Sequence, residues 1–348
     1  MRTRPEVSVI VPARNEEASL SACLASLAGQ TGVTFEIIVV DDDSTDRTRE
    51  IAQSFSRISV LPAPPLPAGW TGKNNALSAG AERAQSSWLL FTDADTVHLP
   101  GSLARSLAEA KREGAALLSY SPEQEVRGFW ERAIMPVIFA ELARTYQPSQ
   151  VSDPKSDAAA ANGQYLLVSR EAYDAVGGHA SVASSLLEDV ALARAVKQSG
   201  RRIYFRYGGS AVRTRMYRSF AQLEEGWTKN LATLFRRPLR LAAIRLAEFS
   251  VLASGTAVAV MAASKGQSFV PLAAGIVAGV VYALFARRVR KAHFSWYSSA
   301  LAIFGLPAFS YLLCRSQLFH KRGNVAWKGR IYRSLGSVPD GVKAPRCG

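Results

Sequence analysis

Two short runs, Val7 to Val11 and Phe35 to Val40, are almost wholly β-branched or apolar. That is the pattern of strands buried on both faces of a parallel sheet, where no polar face alternates with the apolar one. Between them, Glu16 to Ala28 sets Leu20, Cys23, Leu24 and Leu27 on one helical face. Ser44 to Phe55 reads as a second helix and Ile58 to Leu61 as a third strand. After the proline-rich stretch Pro62 to Pro67 come a helix over Asn74 to Ala84 and a strand over Trp88 to Thr92. The βαβαβαβ order predicts a doubly wound, Rossmann-like α/β domain, in which ligands sit beyond the carboxyl ends of the strands. Farther on, Gly163 to Arg170 reads as a strand entering a helix at Glu171, Gly177-Gly178-His179 as a turn, and Glu188 to Ser199 as a helix.

The pattern changes after residue 218. From Ser219 to Phe249, Leu231, Leu234, Phe235, Leu239, Leu241, Ile244 and Leu246 alternate at helical spacing with Lys229, Arg236, Arg237, Arg240 and Arg245. A basic amphipathic stretch of this kind suits a bilayer surface and would deliver Trp227 to headgroup level; a soluble core helix is the poorer alternative. Phe249 to Ser264 is a short first span. Gly266 to Ala286 and Phe294 to Cys314 are each 21 uncharged residues, enough to cross a hydrocarbon core of about 30 Å. The resulting division is an α/β domain over 1–218, interfacial helices over 219–248, membrane segments over 249–318, and a basic tail over 319–348.

Charge sharpens this division. The formal charge is +14, but 18 basic residues against 2 acidic ones follow Thr228, while the earlier residues carry 24 basic and 26 acidic. Cations beside long apolar runs mark membrane ends facing anionic lipid. A nucleic-acid footprint would instead place them on a folded face, and no such face is legible. The expected location is a multi-pass protein of the cell (inner) membrane with its α/β domain in the cytoplasm. Cys23, Cys314 and Cys347 share no metal or redox spacing, which predicts reduced thiols. The apolar stretch after Arg2 and Arg4 is interrupted at Pro12 to Glu17, too early for a signal-peptide core.

The expected strand tips carry the chemistry. Strand one runs into Pro12-Ala13-Arg14-Asn15-Glu16, strand two into Asp41-Asp42-Asp43-Ser44, and strand four into Asp93-Ala94-Asp95. Helix capping accounts for one Asp or Ser per tip. Five aspartates at two tips repel one another unless a cation or hydrogen-bond donors join them, which points to a ligand site. Lys73, in Gly69-Trp70-Thr71-Gly72-Lys73-Asn74, precedes a helix; it is either a phosphate-binding cation or a solvated turn lysine.

Four segments, in order, resemble the family 2 inverting nucleotide-sugar glycosyltransferases with the GT-A fold. They are Val9-Ile10-Val11-Pro12-Ala13-Arg14-Asn15-Glu16-Glu17, Val40-Asp41-Asp42-Asp43-Ser44-Thr45-Asp46, Thr92-Asp93-Ala94-Asp95 and Leu187-Glu188-Asp189. The resemblance covers residues 7 to 200 and departs at Asp43, where the family usually has Gly. It implies that Asp95 ligates a divalent metal, Mg²⁺ or Mn²⁺, with Asp93 at the same ion and near the ribose. A Lewis acid there would neutralise the diphosphate as the glycosidic bond breaks. The resemblance further implies that Asp41 or Asp42 meets a uracil-type base, with Pro12, Ala13, Arg14 and Glu16 forming the other wall. It makes Asp189 the general base toward an acceptor hydroxyl, and leaves no need for a covalent enzyme intermediate. His179 reads as a turn residue.

The processive members carry a Gln-x-x-Arg-Trp motif; here Gln222-Leu223-Glu224-Glu225-Gly226-Trp227 lacks the Arg. The segments Asp153-Pro154-Lys155, Ala161-Asn162-Gly163-Gln164, Arg215-Met216-Tyr217, Glu225-Gly226-Trp227 and Trp327-Lys328-Gly329-Arg330 look most like membrane-bound members associated with carotenoid and hopanoid pathways, which glycosylate lipids once. Glu188, Glu225 and Trp227 are then expected on the acceptor side. The expected partners are a UDP-linked sugar donor, a lipid acceptor and the membrane, with no nucleic acid. A processive polysaccharide synthase and a non-catalytic nucleotide-binding membrane protein are the rival readings. The positive-inside rule places both Arg287 to Lys291 and the tail in the cytoplasm, so Phe294 to Cys314 is expected to bend at Pro307 and return, the alternative being a third span outright.

Overall fold

The structure is a computed structural model that describes residues 4–264, 269–323, 325–327 and 330–332. The chain forms two compact units. Among the described residues, the first holds those up to Glu125 and Tyr146–Met216; the second holds Val126–Thr145 and those from Tyr217 to Tyr332.

The strands of the first unit are β1 (Val7–Ala13), β2 (Phe35–Asp41), β3 (Ile58–Pro62), β4 (Trp88–Phe91), β5 (Thr96–His98), β6 (Leu117–Ser121), β7 (Glu123–Gln124), β8 (Leu166–Ser169), β9 (Ile203–Tyr207) and β10 (Val212–Thr214). Seven of them form one sheet in the order β3-β2-β1-β4-β8-β6-β9, and β5-β10-β7 form a smaller one. The first four strands pair parallel, as the βαβ pattern requires, but β8 enters antiparallel between β4 and β6. The doubly wound expectation therefore holds for the first half of the sheet only. On one face Val9, Val11, Ile37 and Val39 pack against Leu20, Leu24 and Leu27. On the other Ile10, Leu89 and Phe91 pack against Leu77, Leu192 and Val196, each such side chain contributing about 1.5–3 kcal/mol on burial.

Two helices start later than their patterns suggest, because polar side chains claim the first turn. The helix expected from Glu16 begins at Leu20, since the Ser19 hydroxyl donates to the Glu16 carboxylate at 2.8 Å. The helix expected from Ser44 begins at Thr48, whose backbone N–H donates to Asp46 at 3.0 Å. Against partial burial, which raises it, the Thr48 hydroxyl and then the Thr48 and Glu17 N–H groups hold the Asp46 carboxyl below its ordinary value.

The second unit contains the helices Phe129–Thr145, Phe220–Leu234, Pro238–Ser264, Phe269–Val289 and Trp296–Lys321. The first of these is absent from the sequence expectations, and it interrupts the anticipated continuous domain over 1–218. By length and apolar composition, two helices among the described residues could cross a membrane: Pro238–Val258 within its helix, and Trp296–Lys321. Helix Phe269–Val289 covers most of the expected span Gly266 to Ala286; Gly266 and its neighbours over 265–268, residues 328–329 and those beyond Tyr332, Cys347 among them, lie outside the described residues. Val325–Trp327 and Arg330–Tyr332 pair antiparallel.

The basic stretch forms two helices that part at Phe235–Arg237. Two expectations for this unit are corrected. Trp227 does not face outward: it is 3% exposed, and its indole N–H points at Met135 Sδ, 3.4 Å away. Arg245 is likewise buried, against Glu141 at 3.0 Å and Glu248 at 2.7 Å. Finally, the chain does not turn back at Pro307, which lies inside the continuous helix Trp296–Lys321. Packing explains why one missing N–H is tolerated. At Gly305 a Cβ would fall 2.0 Å from the Ala133 carbonyl oxygen, so this helix is fixed backbone to backbone against Phe129–Thr145.

Candidate active site

The carboxyl ends of β1, β2 and β4 bring together the segments singled out in the sequence. At the tip of β2, the Asp42 N–H donates to the Ala13 carbonyl at 2.8 Å and continues the β1 pairing by one residue. Asp41 and Asp42 are both buried, and Asp41 Oδ1 accepts from the Ser44 N–H at 3.3 Å. The Arg14 guanidinium donates to the Asp42 carbonyl at 2.6 Å and to that of Asp43 at 3.1 Å. Arg14 thus pins the β2 loop. Asp43 has φ of 59°, the left-handed region that glycine enters freely and Asp and Asn tolerate, which accounts for a small or polar residue at this position. The Glu16 carboxylate accepts from the Ser19 hydroxyl at 2.8 Å, and the Glu16 N–H donates to Thr48 Oγ1 at 2.7 Å.

The centre of the site is a cluster of charges. Lys73 follows Thr71, whose hydroxyl caps the helix Gly72–Arg83 by accepting the Asn74 N–H at 3.1 Å. Its ammonium lies 2.7 Å from Asp93 Oδ1 and 2.7 Å from Glu188 Oε1, so it is neither a solvated lysine nor a cation awaiting its first partner. Burial opposes the Lys73 charge, but Asp93, Glu188 and Asp189 outweigh it and hold the ammonium well above its ordinary range. Asp189 opens the helix Glu188–Gln198. Its Oδ1 accepts the Val190 N–H at 2.7 Å and its Oδ2 the Gly163 N–H at 2.8 Å. Burial, then the neighbouring Glu188 carboxylate, push the Asp189 carboxyl up to about 6, above the usual carboxylate range, with Lys73 and the two N–H donors pulling the other way. A carboxylate in that range suits proton abstraction near neutral pH.

Gly163 is a site residue that the sequence expectations passed over. A Cβ there would lie 3.1 Å from Lys73 Nζ, 3.4 Å from Glu188 Oε1 and 3.6 Å from Asp189 Oδ2, so a larger residue would crowd the whole cluster. Asn74 is a second: its amide donates to the carbonyls of Val182, Ala183 and Ser185 at 2.8 to 3.1 Å, fixing the loop that leads to Glu188.

Asp93 and Asp95 rest on a buried hydroxyl and imidazole network. Thr92 Oγ1 lies 2.9 Å from Thr96 Oγ1 and 3.0 Å from His98 Nε2, and Thr96 Oγ1 donates to the Asp93 carbonyl at 2.7 Å. Burial pushes the His98 imidazole down to about 3, so it supports the turn as a neutral ring. Cys23 sits beneath the same turn, and burial raises its thiol to about 12, in keeping with a reduced structural cysteine. His179 is also structural, with Nδ1 3.0 Å from the Tyr173 hydroxyl and its ring edge-on to Phe91. Among the described residues no three His, Cys, Asp or Glu side chains form a metal cage. Two hard carboxylates fit Mg²⁺ or Mn²⁺, whose remaining positions are ordinarily filled by phosphate oxygens and water. Glu225, exposed, and Trp227, buried, lie on Phe220–Leu234 in the second unit.

Residues 8–177 match the family model described as "Glycosyl transferase family 2". Over 337 residues, spanning 94% of this chain and 88% of the relative, the sequence is 28% identical to proteins named 4,4'-diaponeurosporenoate glycosyltransferase in Staphylococcus aureus strains USA300 and MRSA252. The solved structure of the mannosyltransferase PcManGT from Pyrobaculum calidifontis, in complex with GDP-Man and Mn²⁺, superposes with a TM-score of 0.52 at 16% identity. It covers 91% of this chain and 87% of its own, and the likeness is one of fold.

Proposed function

Because residues 8–177 place this chain in glycosyl transferase family 2, as a glycosyltransferase of the GT-A fold, we propose that it moves one sugar from a nucleotide donor to a lipid acceptor at the membrane surface, with inversion. The single observation that carries the reading is Asp189. Its carboxyl is raised toward neutrality and is held between the Gly163 N–H and the Lys73, Asp93 and Glu188 charges. In the proposed reaction Asp189 takes the proton of an acceptor hydroxyl. The hydroxyl oxygen bonds to the anomeric carbon as the bond from that carbon to the diphosphate breaks, so the sugar changes configuration in one displacement. An acceptor carboxylate, the group implied by the name of the Staphylococcus aureus relatives, would attack without losing a proton.

The donor's base and ribose would lie against Pro12, Ala13, Asp41 and Asp42, with Arg14 and Glu16 shaping the two loops. Asp95 and Asp93 would hold a divalent cation, which when bound supplies Lewis acidity toward the departing diphosphate. Lys73 holds one positive charge at the same place, beside Asp93. A cytoplasmic membrane face is supported by the two apolar helices and by the excess of cations after Thr228.

Purified protein incubated with a panel of nucleotide sugars and a native lipid extract, with products identified by mass spectrometry and anomeric configuration by NMR, tests the reading. A lipid carrying one sugar of inverted configuration is expected. A polymer, a retained configuration or transfer to a hydroxyl acceptor without Asp189 would overturn it.

A further inference from the structure

Gln164 is 4% exposed. Its amide Nε2 lies 3.2 Å from Thr214 Oγ1 and 3.5 Å from Asp95 Oδ1, while the Thr214 hydroxyl donates to the Asp95 backbone carbonyl at 3.2 Å. Asp95 is therefore held through both its side chain and its backbone by one pair of residues. The main chain of Gln164 has no slack: its carbonyl accepts from Thr92 Oγ1 at 2.8 Å, its N–H donates to Asn162 Oδ1 at 2.9 Å, and Tyr165 beside it is fully buried. The other end of the amide, Oε1, is buried without a hydrogen-bond partner. A buried acceptor left unsatisfied costs stability, so an apolar side chain would serve packing better here. What distinguishes glutamine is its donor end, and that end faces Asp95.

We infer that Gln164 is a positioning residue that sets the orientation in which the Asp95 carboxylate meets a divalent cation. The inference rests on the reading of Asp95 as a metal ligand given under Proposed function. It adds that the short segment Asn162-Gly163-Gln164 organises both halves of the chemistry, since the Gly163 N–H holds the base Asp189 while the Gln164 amide holds the metal ligand. Outer partners of this kind govern how tightly a first ligand binds its metal.

The test is a titration of the full chain in detergent with Mn²⁺ in the presence of uridine diphosphate, with free Mn²⁺ read by electron paramagnetic resonance. Gln164→Met keeps length and volume but loses the donor, and it should bind Mn²⁺ at least about tenfold more weakly than the parent protein. Its metal-free melting temperature should be unchanged or higher, because the unpaired acceptor is gone. In turnover, KM for the metal should rise while kcat at saturating Mn²⁺ stays close to that of the parent. Thr214→Val, which removes the hydroxyl that fixes the amide, should shift Mn²⁺ affinity in the same direction by less, and it decides the matter if Gln164→Met folds poorly. Parental Mn²⁺ affinity in folded Gln164→Met, or a loss of kcat with metal affinity intact, would overturn the role of Gln164 alone. Absence of Mn²⁺ binding by the parent protein would overturn the metal reading of Asp95, and this role with it.

Discussion

In the first unit one cation, Lys73, faces Asp93, Glu188 and Asp189, whereas in the second unit two arginines, Arg245 and Arg288, meet two glutamates, Glu141 and Glu248. All four contacts of the second set lie between 2.7 and 3.1 Å, and Glu141 is wholly buried. Arg144 adds a third cation 3.3 Å from Glu141, so carboxylates there are not in excess, and the arrangement ties Phe129–Thr145, Pro238–Ser264 and Phe269–Val289 together. In the first cluster they are in excess: Asp93 keeps 28% and Lys73 34% of its side-chain surface, and burial beside Glu188 raises the Asp189 carboxyl. Both sets contain short ion pairs, so a short ion pair alone does not mark a site. An excess of carboxylate with open surface does, because that excess is relieved only when a cation or a proton arrives.

Breaking the two clusters should therefore give opposite outcomes. The largest effect expected is from Asp95→Ala, which removes a half-buried turn carboxylate and supports no core. Turnover and metal-dependent donor binding should vanish while the circular dichroism spectrum and melting temperature stay put; calorimetry of uridine diphosphate with and without Mn²⁺ checks this. Glu141→Gln should do the reverse, costing the second unit about 3–5 kcal/mol because Arg245 and Arg288 lose a buried partner. Denaturation of the detergent-solubilised chain measures it, and donor affinity at temperatures where the protein stays folded should not change.

Two smaller effects sharpen the contrast. Gly163→Ala forces Lys73 and Glu188 outward by a few tenths of an ångström and should reduce kcat about tenfold, since positioning errors of this size are costly in catalysis. The pH dependence follows from Asp189. Its carboxyl must be ionised to act as base, so with a hydroxyl acceptor kcat/KM should fall about tenfold per unit as pH drops below about 6. For stability the sign is opposite. The folded-state value lies above the ordinary 3.8, so protonation favours the folded form, and this group's contribution to stability should rise as pH falls from above 6 toward 4.

The strands β1 and β2 were legible because buried parallel strands need no polar alternation, and the acidic tips were legible because their charges exceed what capping needs. The antiparallel entry of β8 was not, since register between β4 and β6 is settled by contacts distant in sequence. The roles of Gly163, Asn74, Gln164 and His98 carry no local signal, although Gly163 and Gln164 lie in a segment that carried the family resemblance: the first three act through partners 25 to 111 residues away, and His98 through a turn lacking a motif of its own. Gln164, for instance, reaches Asp95 and Thr214 at separations of 69 and 50. Trp227 and Arg245 were misread for one reason. An aromatic or a cation beside apolar runs looks the same in sequence whether it meets lipid headgroups or, as here, Met135 and Glu141 on a helix some 90 to 100 residues earlier. The fate of Pro307 likewise depended on Gly305 finding a backbone to rest against.

The most direct measurement of the central claim separates binding from chemistry at Asp189. Donor affinity of Asp189→Asn, measured by calorimetry with Mn²⁺, should stay within about threefold of the parent, while the single-turnover rate of sugar transfer to a hydroxyl acceptor should drop by a factor on the order of 10² to 10⁴. Near-parental turnover would contradict the account and leave Asp189 as nothing more than a carboxylate at the start of a helix.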